Sequence, residues 1–571
     1  MRLPSVKKLL LTFTVTTTAP ASLSGQMSSF STTPEIATAA LEEPAIDYQA
    51  RCLAFQPLNY VSNATLRVQE YVTAGTVITE ANHEPDCLTE ASQTVSVNLC
   101  RIAMNITTSP SSAIVFEAWL PDSYNNRLFT AGTSGMGGCI RYIDIDFGVQ
   151  HGFATVASNN GHEGNRASVF YNHSEVLQDF VWRALHVTTE TGKLLVPAFY
   201  PESYNKSYFS GCSGAGRQGI KAAEIWPNDY DGIIVGAPGE NFNNMISWVL
   251  SFYLKTGNAS SPNFIPLDTW TGLIHNEIMR QCDALDGVED GIIEDPNVCD
   301  FRPEELICQA NSTGSCLTSR QVRMVRSIFS PLYGSKGELV FPAMQPGSEP
   351  MAVNKLYTGV PYDYAIDWYK YVVYSDPSYT TSSFTLNSME YAIALDPYNI
   401  STSPTDLSSF TSSPHNGKMM IWHGGADQEI TSFESEKFYN QLMTGMNLTS
   451  KGMDEYIRFF RIPGVFHCRA GPGAWMIGQE TGGTTTYDPE NSILSALVHW
   501  VEDGVAPDTI TGTKYVNDDA NQGVERQRRH CRYPYRSTYL GEGRDGNLKD
   551  SWVCKYPGQE LVVWSSMEGE S

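Results

Sequence analysis

Ser213 lies in the run Tyr208-Phe209-Ser210-Gly211-Cys212-Ser213-Gly214-Ala215-Gly216-Arg217-Gln218-Gly219, where an apolar aromatic lead-in meets a serine flanked by the smallest residues. A stretch able to form a helix follows, from Arg217 to Ile225. Strand, sharp turn and helix make a nucleophile elbow. The turn crowds the serine backbone, so the neighbours must lack bulk, and the hydroxyl is left exposed at the end of a sheet. Ala215 stands where such a turn usually has its second glycine, which predicts a strained turn. An ordinary glycine-rich turn reads the same way, because short strings of this kind arise by chance. The rest of the chain has to decide between the two.

Two further placements bear on that choice. Lys418-Met419-Met420-Ile421-Trp422-His423-Gly424-Gly425-Ala426-Asp427 reads as an apolar strand that ends in glycines and delivers an aspartate at its carboxyl end. Glu455 to Ile462 reads as another strand, and Pro463-Gly464-Val465-Phe466-His467-Cys468 places a histidine on the loop beyond it. The order Ser213, Asp427, His467 is that of nucleophile, acid and base in α/β-hydrolases. His423 is the nearest rival base, but its place at the strand end suits packing or a pocket wall. Gly132-Thr133-Ser134-Gly135-Met136-Gly137-Gly138 leaves a strand as a glycine-rich loop. Its free amides, with Gly137 and Gly138 as the expected donors, can join the amide of Gly214 in holding an oxyanion; a flexible turn is the other reading. Cys212 precedes the serine and Cys468 follows the histidine. If elbow and loop meet, a disulfide there ties nucleophile to base and limits their drift.

These residues need a sheet to carry them. Thr94–Leu99, Ala113–Leu120 and Arg127–Ala131 read as opening antiparallel strands, Phe153–Ser158 as a strand, and Val176 to Leu195 as a helix from its apolar spacing. Gly232-Ile233-Ile234-Val235-Gly236-Ala237-Pro238 is a nearly continuous apolar run, as expected of a central parallel strand. Strand and helix alternate as in a doubly wound sheet. The expected class is therefore α/β, with residues 22–239 as the first part of an α/β-hydrolase core, 240–417 as an inserted lid domain and 418–571 as the second part of the core. A lid shapes the pocket while the sheet carries the chemistry. Its aromatics, among them Trp248, Tyr253, Trp270, Tyr362, Tyr364, Trp368 and Tyr369, face either a substrate or the lid's own core.

Within the lid, Cys282 to Ile293 carries Asp283, Asp286 and Asp290 with Gly287 and Gly291 between them. Carboxylates and carbonyls on so sharply folded a backbone can wrap a hard cation. Calcium fits, since it accepts six to eight oxygens in irregular geometry. The spacing is not that of an EF-hand, and an acidic exposed loop is the alternative. Being far from Ser213 in sequence and carrying no base, such a site would stabilise the lid.

Residues 1–21 combine a cationic head, a short apolar stretch from Leu9 to Val15 and small residues at Ala19-Pro20-Ala21, which predicts a secretory signal peptide. Export agrees with eight Asn-x-Ser/Thr sequons, at Asn63, Asn105, Asn172, Asn205, Asn258, Asn311, Asn399 and Asn447, and with twelve cysteines that form no C-x-x-C pair. The expected location is extracellular. A net charge of -24 over 571 residues argues against nucleic acid or an anionic membrane as partner. No feature fixes an oligomeric state.

The combination Cys212-Ser213, Asp427 and His467-Cys468 resembles the motif of the fungal and bacterial tannase and feruloyl esterase family. The resemblance extends from Cys52 to Pro557 and includes Ser213 to Gly219, Tyr230-Asp231-Gly232-Ile233, Gly236-Ala237-Pro238, the acidic loop, His499 to Gly504 and Cys531-Arg532-Tyr533-Pro534. It implies a serine esterase with structural Ca2+ held by the carboxylates of Asp283, Asp286 and Asp290 and the carbonyls of Val288 and Ile292. It also implies disulfides joining Cys52 to Cys100, Cys87 to Cys139, Cys212 to Cys468, Cys282 to Cys299, Cys308 to Cys316 and Cys531 to Cys554. The implied substrates are phenolic esters, feruloyl groups on plant cell-wall sugars before galloyl esters of tannins. A small-molecule esterase of secondary metabolism and a catalytically silent binding protein on the same fold are the alternatives.

Overall fold

The computed structural model describes residues 46–79, 84–87, 92–310, 315–480, 486–541 and 543–557. The expected signal peptide and the Asn311 sequon lie outside these. Nine strands form one mixed sheet: β1 (Ala64–Val72), β2 (Leu99–Ser109), β3 (Ser112–Pro121), β4 (Arg127–Ala131), β5 (Ala154–Ser158), β6 (Lys206–Cys212), β7 (Gly232–Gly236), β8 (Lys418–Gly424) and β9 (Ile457–Ile462). Their spatial order is β1-β2-β3-β5-β4-β6-β7-β8-β9. The first three strands form an antiparallel meander, β3 meets β5 antiparallel, and every later pair is parallel. This is the α/β-hydrolase fold.

The parallel half is apolar because helices cover both of its faces. Phe209, Ile233, Met419 and Ile457 stand side by side on β6 to β9, all fully buried. The helices that pack there are α1 (Tyr142–Gln150), α2 (Ala184–Phe199), α3 (Gly214–Ile225), α6 (Ser432–Gly445) and α7 (Ile493–Asp503).

The structure departs from the sequence reading in several places. Arg127–Ala131 is parallel to both neighbours rather than part of the antiparallel opening, because the crossover through α1 returns the chain in the same direction. Thr94–Leu99 is no strand: a short strand ends at Thr94 and β2 begins at Leu99. The expected helix over 176–195 runs from Ser174 to Phe199 with a π-helical stretch at Asp179–Arg183. β1 and two C-terminal hairpins, β10 (Thr509–Tyr515) with β11 (Val524–Cys531) and β12 (Arg536–Tyr539) with β13 (Trp552–Lys555), were not anticipated.

Between β7 and β8 the chain adds no strand to this sheet. It contributes α4 (Phe242–Thr256), α5 (Asp363–Trp368) and further helices, and builds an apolar cluster round Trp248, Trp270, Phe341, Trp368 and Tyr369. That cluster is continuous with Met136, Phe170 and Phe180 of the preceding segment, so the insertion shares one compact unit with the sheet.

Disulfides join Cys52–Cys100, Cys87–Cys139, Cys212–Cys468, Cys282–Cys299, Cys308–Cys316 and Cys531–Cys554, leaving no free cysteine. The seven sequon asparagines among the described residues are all exposed. No helix among the described residues is long and apolar enough to cross a membrane.

Candidate active site

Ser213 follows β6 directly and precedes the first turn of α3, with φ 66° and ψ -124°, a conformation that L residues rarely adopt. Its N–H donates to the Gly236 carbonyl at 2.8 Å, and its own carbonyl accepts from Arg217 N–H at 3.1 Å, so the neighbouring strand and the helix both hold the turn. Ala215 fits without displacing it. Cβ atoms placed on Gly132 and Gly211 would lie 2.7 and 2.5 Å from the Ala215 methyl, so the space glycine usually leaves at the second position is here left by these two glycines.

β8 carries Asp427 just beyond its end, and β9 leads to His467. Ser213 Oγ donates to His467 Nε2 at 2.8 Å, and His467 Nδ1–H donates to Asp427 Oδ2 at 2.7 Å. The three side chains singled out in the sequence therefore meet in one chain of hydrogen bonds. Asp427 is fully buried, and its Oδ1 accepts the N–H groups of Glu429 and Ile430 at 2.8 and 2.9 Å. Gln428 Oε1 accepts the His467 N–H at 3.1 Å, so the acid's own loop also holds the histidine backbone.

His423 takes a part that its sequence position did not reveal. Its Nε2 lies 2.9 Å from the Ile430 carbonyl and 3.2 Å from Asp427 Oδ2, both acceptors, so that nitrogen carries the proton, and Ser435 Oγ donates to Nδ1 at 2.7 Å. The ring is wholly buried and serves as a second donor to the aspartate.

Electrostatics follow from this packing. Burial by itself would raise the Asp427 carboxyl, but His467 and His423 hold it well below the usual carboxylate range. Burial would lower the His467 imidazole, yet the charge of Asp427, and then of Glu429, brings it above its ordinary value. An imidazole in that setting can take a proton from Ser213 and keep it beside a carboxylate.

The glycine-rich loop meets the elbow at a different residue from the two expected. Gly137 donates its amide to the Ser134 carbonyl at 3.1 Å, and Gly138 is joined to Gly164 by an antiparallel bridge. Gly135, at φ 67°, is the residue beside Gly214: a Cβ on Gly214 would sit 2.8 Å from the Gly135 carbonyl oxygen.

Two cavities open on Ser213. One, about 60 Å³, is apolar and lined by Phe242, Met245, Ile246 and Val249 of α4 with Tyr362 and Tyr364. The other, about 420 Å³, is polar, with Arg141, Lys355, Gln428, Glu429, Arg469 and Glu480 along it. Of the lid aromatics considered from sequence, Tyr362 and Tyr364 reach these cavities, whereas Trp248, Trp270, Trp368 and Tyr369 are at most 1% exposed and belong to the core.

In the acidic loop, Asp283 accepts N–H groups from Asp290 at 3.3 Å and Gly291 at 3.1 Å, and Asp290 Oδ1 accepts from Ile292 N–H at 3.2 Å. Asp290 Oδ2 faces Arg526 at 3.2 Å and Arg528 at 2.9 Å. Asp286 Oδ1 accepts from Val288 N–H at 2.8 Å, but its buried Oδ2 has no partner. Burial, aided by Asp290 and Asp283, pushes the Asp286 carboxyl up to about 6. An orphaned carboxylate oxygen in a set made wholly of oxygens fits a hard cation. The loop also abuts the histidine loop, since a Cβ on Gly464 would lie 3.1 Å from Ile292.

The family model described as tannase and feruloyl esterase matches residues 100–554. A protein of Aspergillus flavus named probable feruloyl esterase B-2 is 48% identical over 492 residues, which cover 85% of this chain and 93% of that protein. A crystal structure of feruloyl esterase B from Aspergillus oryzae superposes with a TM-score of 0.85 at 43% identity, over 89% of this chain and 100% of that one. The tannin acyl hydrolase of Aspergillus niger has the same fold, with a TM-score of 0.67 at 21% identity over 89% of this chain and 94% of that one.

Proposed function

The chain belongs to the tannase and feruloyl esterase family and is a carboxylic ester hydrolase, and from its site we propose that it cleaves feruloyl and related hydroxycinnamoyl esters through Ser213, His467 and Asp427. The observation that carries this reading is the pair of unlike cavities meeting at Ser213. The narrow apolar one suits a planar aromatic acyl group, and the wide polar one suits a hydroxylated alcohol such as a sugar.

His467 takes the proton of Ser213 as Oγ attacks the ester carbonyl, and Asp427 keeps the imidazole in the tautomer that can do so. The amides of Gly214 and Gly135 receive the charge on the carbonyl oxygen. His467 then gives its proton to the departing alcohol, an acyl-enzyme remains, and water repeats the sequence.

Ferulate is favoured over gallate because Phe242, Met245, Ile246 and Val249 form a wall of this cavity without a polar side chain, the polar groups other than Ser213 being Tyr362, Tyr364, Glu429 and His467 on its other sides. Three ring hydroxyls against such a wall would lose their hydrogen bonds to water without replacement. Asp283, Asp286 and Asp290 with the carbonyls of Val288 and Ile292 would hold Ca2+, whose part is to brace the loop beside Gly464. Six disulfides, exposed sequons and the cationic, then apolar, N-terminus support secretion, with phenolic esters on plant polysaccharide as the natural substrate.

Initial rates on methyl ferulate, methyl caffeate, methyl gallate and short alkyl esters test the reading, with the acid product separated by chromatography. The hydroxycinnamates should be the best substrates; a preference for gallate or for alkyl esters would refute the acyl assignment.

A further inference from the structure

We propose that Asn165 is a positioning residue that couples Tyr364, on the wall of the acyl cavity, to the loop that receives the oxyanion. The inference rests on the reading of Gly135 and Gly214 given above. It arises from one side chain that faces two ways. Asn165 Oδ1 accepts the Met136 N–H at 2.6 Å, and Asn165 Nδ2 donates to the Tyr364 hydroxyl.

Both ends of this link matter to turnover. Met136 follows Gly135, so a hydrogen bond on the Met136 N–H fixes the peptide plane between them. On the other side, Ser134 Oγ donates to the Cys212 carbonyl at 2.6 Å. Gly135, with no side chain to limit its rotation, is thus clamped before and after. The fit is close: a Cβ on Gly135 would come to 2.5 Å from Asn165 Oδ1. Tyr364, at the other end, borders the apolar cavity and the polar one.

Asn165 is itself held firmly. Its N–H donates to Asp86 Oδ2 at 2.6 Å. The next residue, Arg166, pairs with Asp367 at 2.6 Å and with Asp363 at 3.3 Å, both on α5, the helix that also carries Tyr364. The 159–166 loop is therefore strapped to that helix at two consecutive residues. A planar acyl group resting on the Tyr364 ring steadies the hydroxyl, the hydroxyl orients the Asn165 amide, and the amide holds the Gly135–Met136 peptide, which together with the anchored Ser134 fixes the Gly135 backbone and so the direction of its N–H. Aromatic acyl groups thereby acquire a better-formed oxyanion site than acetyl groups do, a gain made in the transition state rather than in binding.

The test compares Asn165→Ala and Tyr364→Phe with the unaltered enzyme, using methyl ferulate, an acetyl ester and a trifluoromethyl ketone that places an oxyanion on Ser213. Asn165→Ala should lower kcat for methyl ferulate by about tenfold or more, with KM within about twofold, and weaken the ketone by a similar factor. Tyr364→Phe should reproduce part of this loss, and the double variant should be no worse than Asn165→Ala alone, because both changes break one chain. Losses that multiply, a change confined to KM, or equal losses on the acetyl ester would overturn the inference. Wild-type kcat in Asn165→Ala beside an inactive Ser213→Ala overturns it alone, whereas an active Ser213→Ala overturns the reading on which it rests.

Discussion

Ser213 Oγ and His467 Nε2 are 2.8 Å apart although 254 residues separate them in the chain. Two features of the sequence make that contact: parallel strands that end on the same edge of the sheet, and half-cystines adjacent to each residue that bond to one another, Cys212 to Cys468. The reacting pair is thus fixed by the fold on one side and by a covalent bond on the other.

The charge of Asp427 raises the His467 imidazole above its ordinary value near 6.5. A general base must be neutral, and a raised value means that protonation begins at a higher pH. kcat/KM should therefore fall as pH drops through a value above about 6.5, with a slope of one proton. A profile of kcat/KM against pH checks this, and a flat profile from about pH 4 to 8 is incompatible with it.

Replacing both Cys212 and Cys468 by alanine should lower stability by about 2–5 kcal/mol, since the bond closes a loop of 256 residues. A displacement of the order of 1 Å between Ser213 and His467 can cost about a hundredfold in rate. Thermal unfolding and kcat of the double variant measure the two effects, which should appear together. Full kcat in a destabilised variant would show that the sheet alone positions the pair.

His423→Phe keeps a ring of similar shape but removes the donor to Asp427 Oδ2 and the Ile430 carbonyl. The buried acceptors left behind cost about 1–3 kcal/mol of stability. Because Asp427 then has one donor fewer to orient it, kcat should fall with KM little changed, and the acid limb of the pH profile should move. A variant altered in Tm alone would make His423 a packing residue.

Chelation tests the acidic loop. If Asp283, Asp286 and Asp290 hold calcium, a chelator should lower Tm, calcium should restore it and magnesium should not, because magnesium demands a regular octahedron. Activity at low temperature should change little, since the loop meets the histidine loop at Gly464, three residues before His467. An unchanged Tm after chelation would reduce the loop to an acidic turn held by Arg526 and Arg528.

Local patterns made much of this legible. The small residues round Ser213 announce the elbow because a turn with φ 66° leaves no room for bulk, and the apolar runs at Gly232 and Lys418 announce strands covered on both faces. Which residue of the glycine-rich loop meets the elbow was not legible, because Gly135 is distinguished from Gly137 and Gly138 only by what packs against it, Gly214 and Asn165. The same holds for Tyr362 and Tyr364, which have no mark in sequence that separates them from the buried Trp368 and Tyr369. β1 was missed because, as an edge strand, it buries little: Thr65, Leu66, Arg67 and Glu70 are exposed, so no sustained alternation of apolar and polar residues marks it. His423 looked like a strand residue and is one; its bond to Asp427 exists only once the loop after β8 turns back over the strand end.

The most direct test of the central claim is to trap the acyl-enzyme. Brief reaction with an activated ferulate ester at low pH, followed by acid quenching, digestion and mass spectrometry, should find one feruloyl group on the peptide containing Ser213 and none in Ser213→Ala, whose turnover should be abolished. A feruloyl group on another residue, or undiminished hydrolysis by Ser213→Ala, would contradict the account.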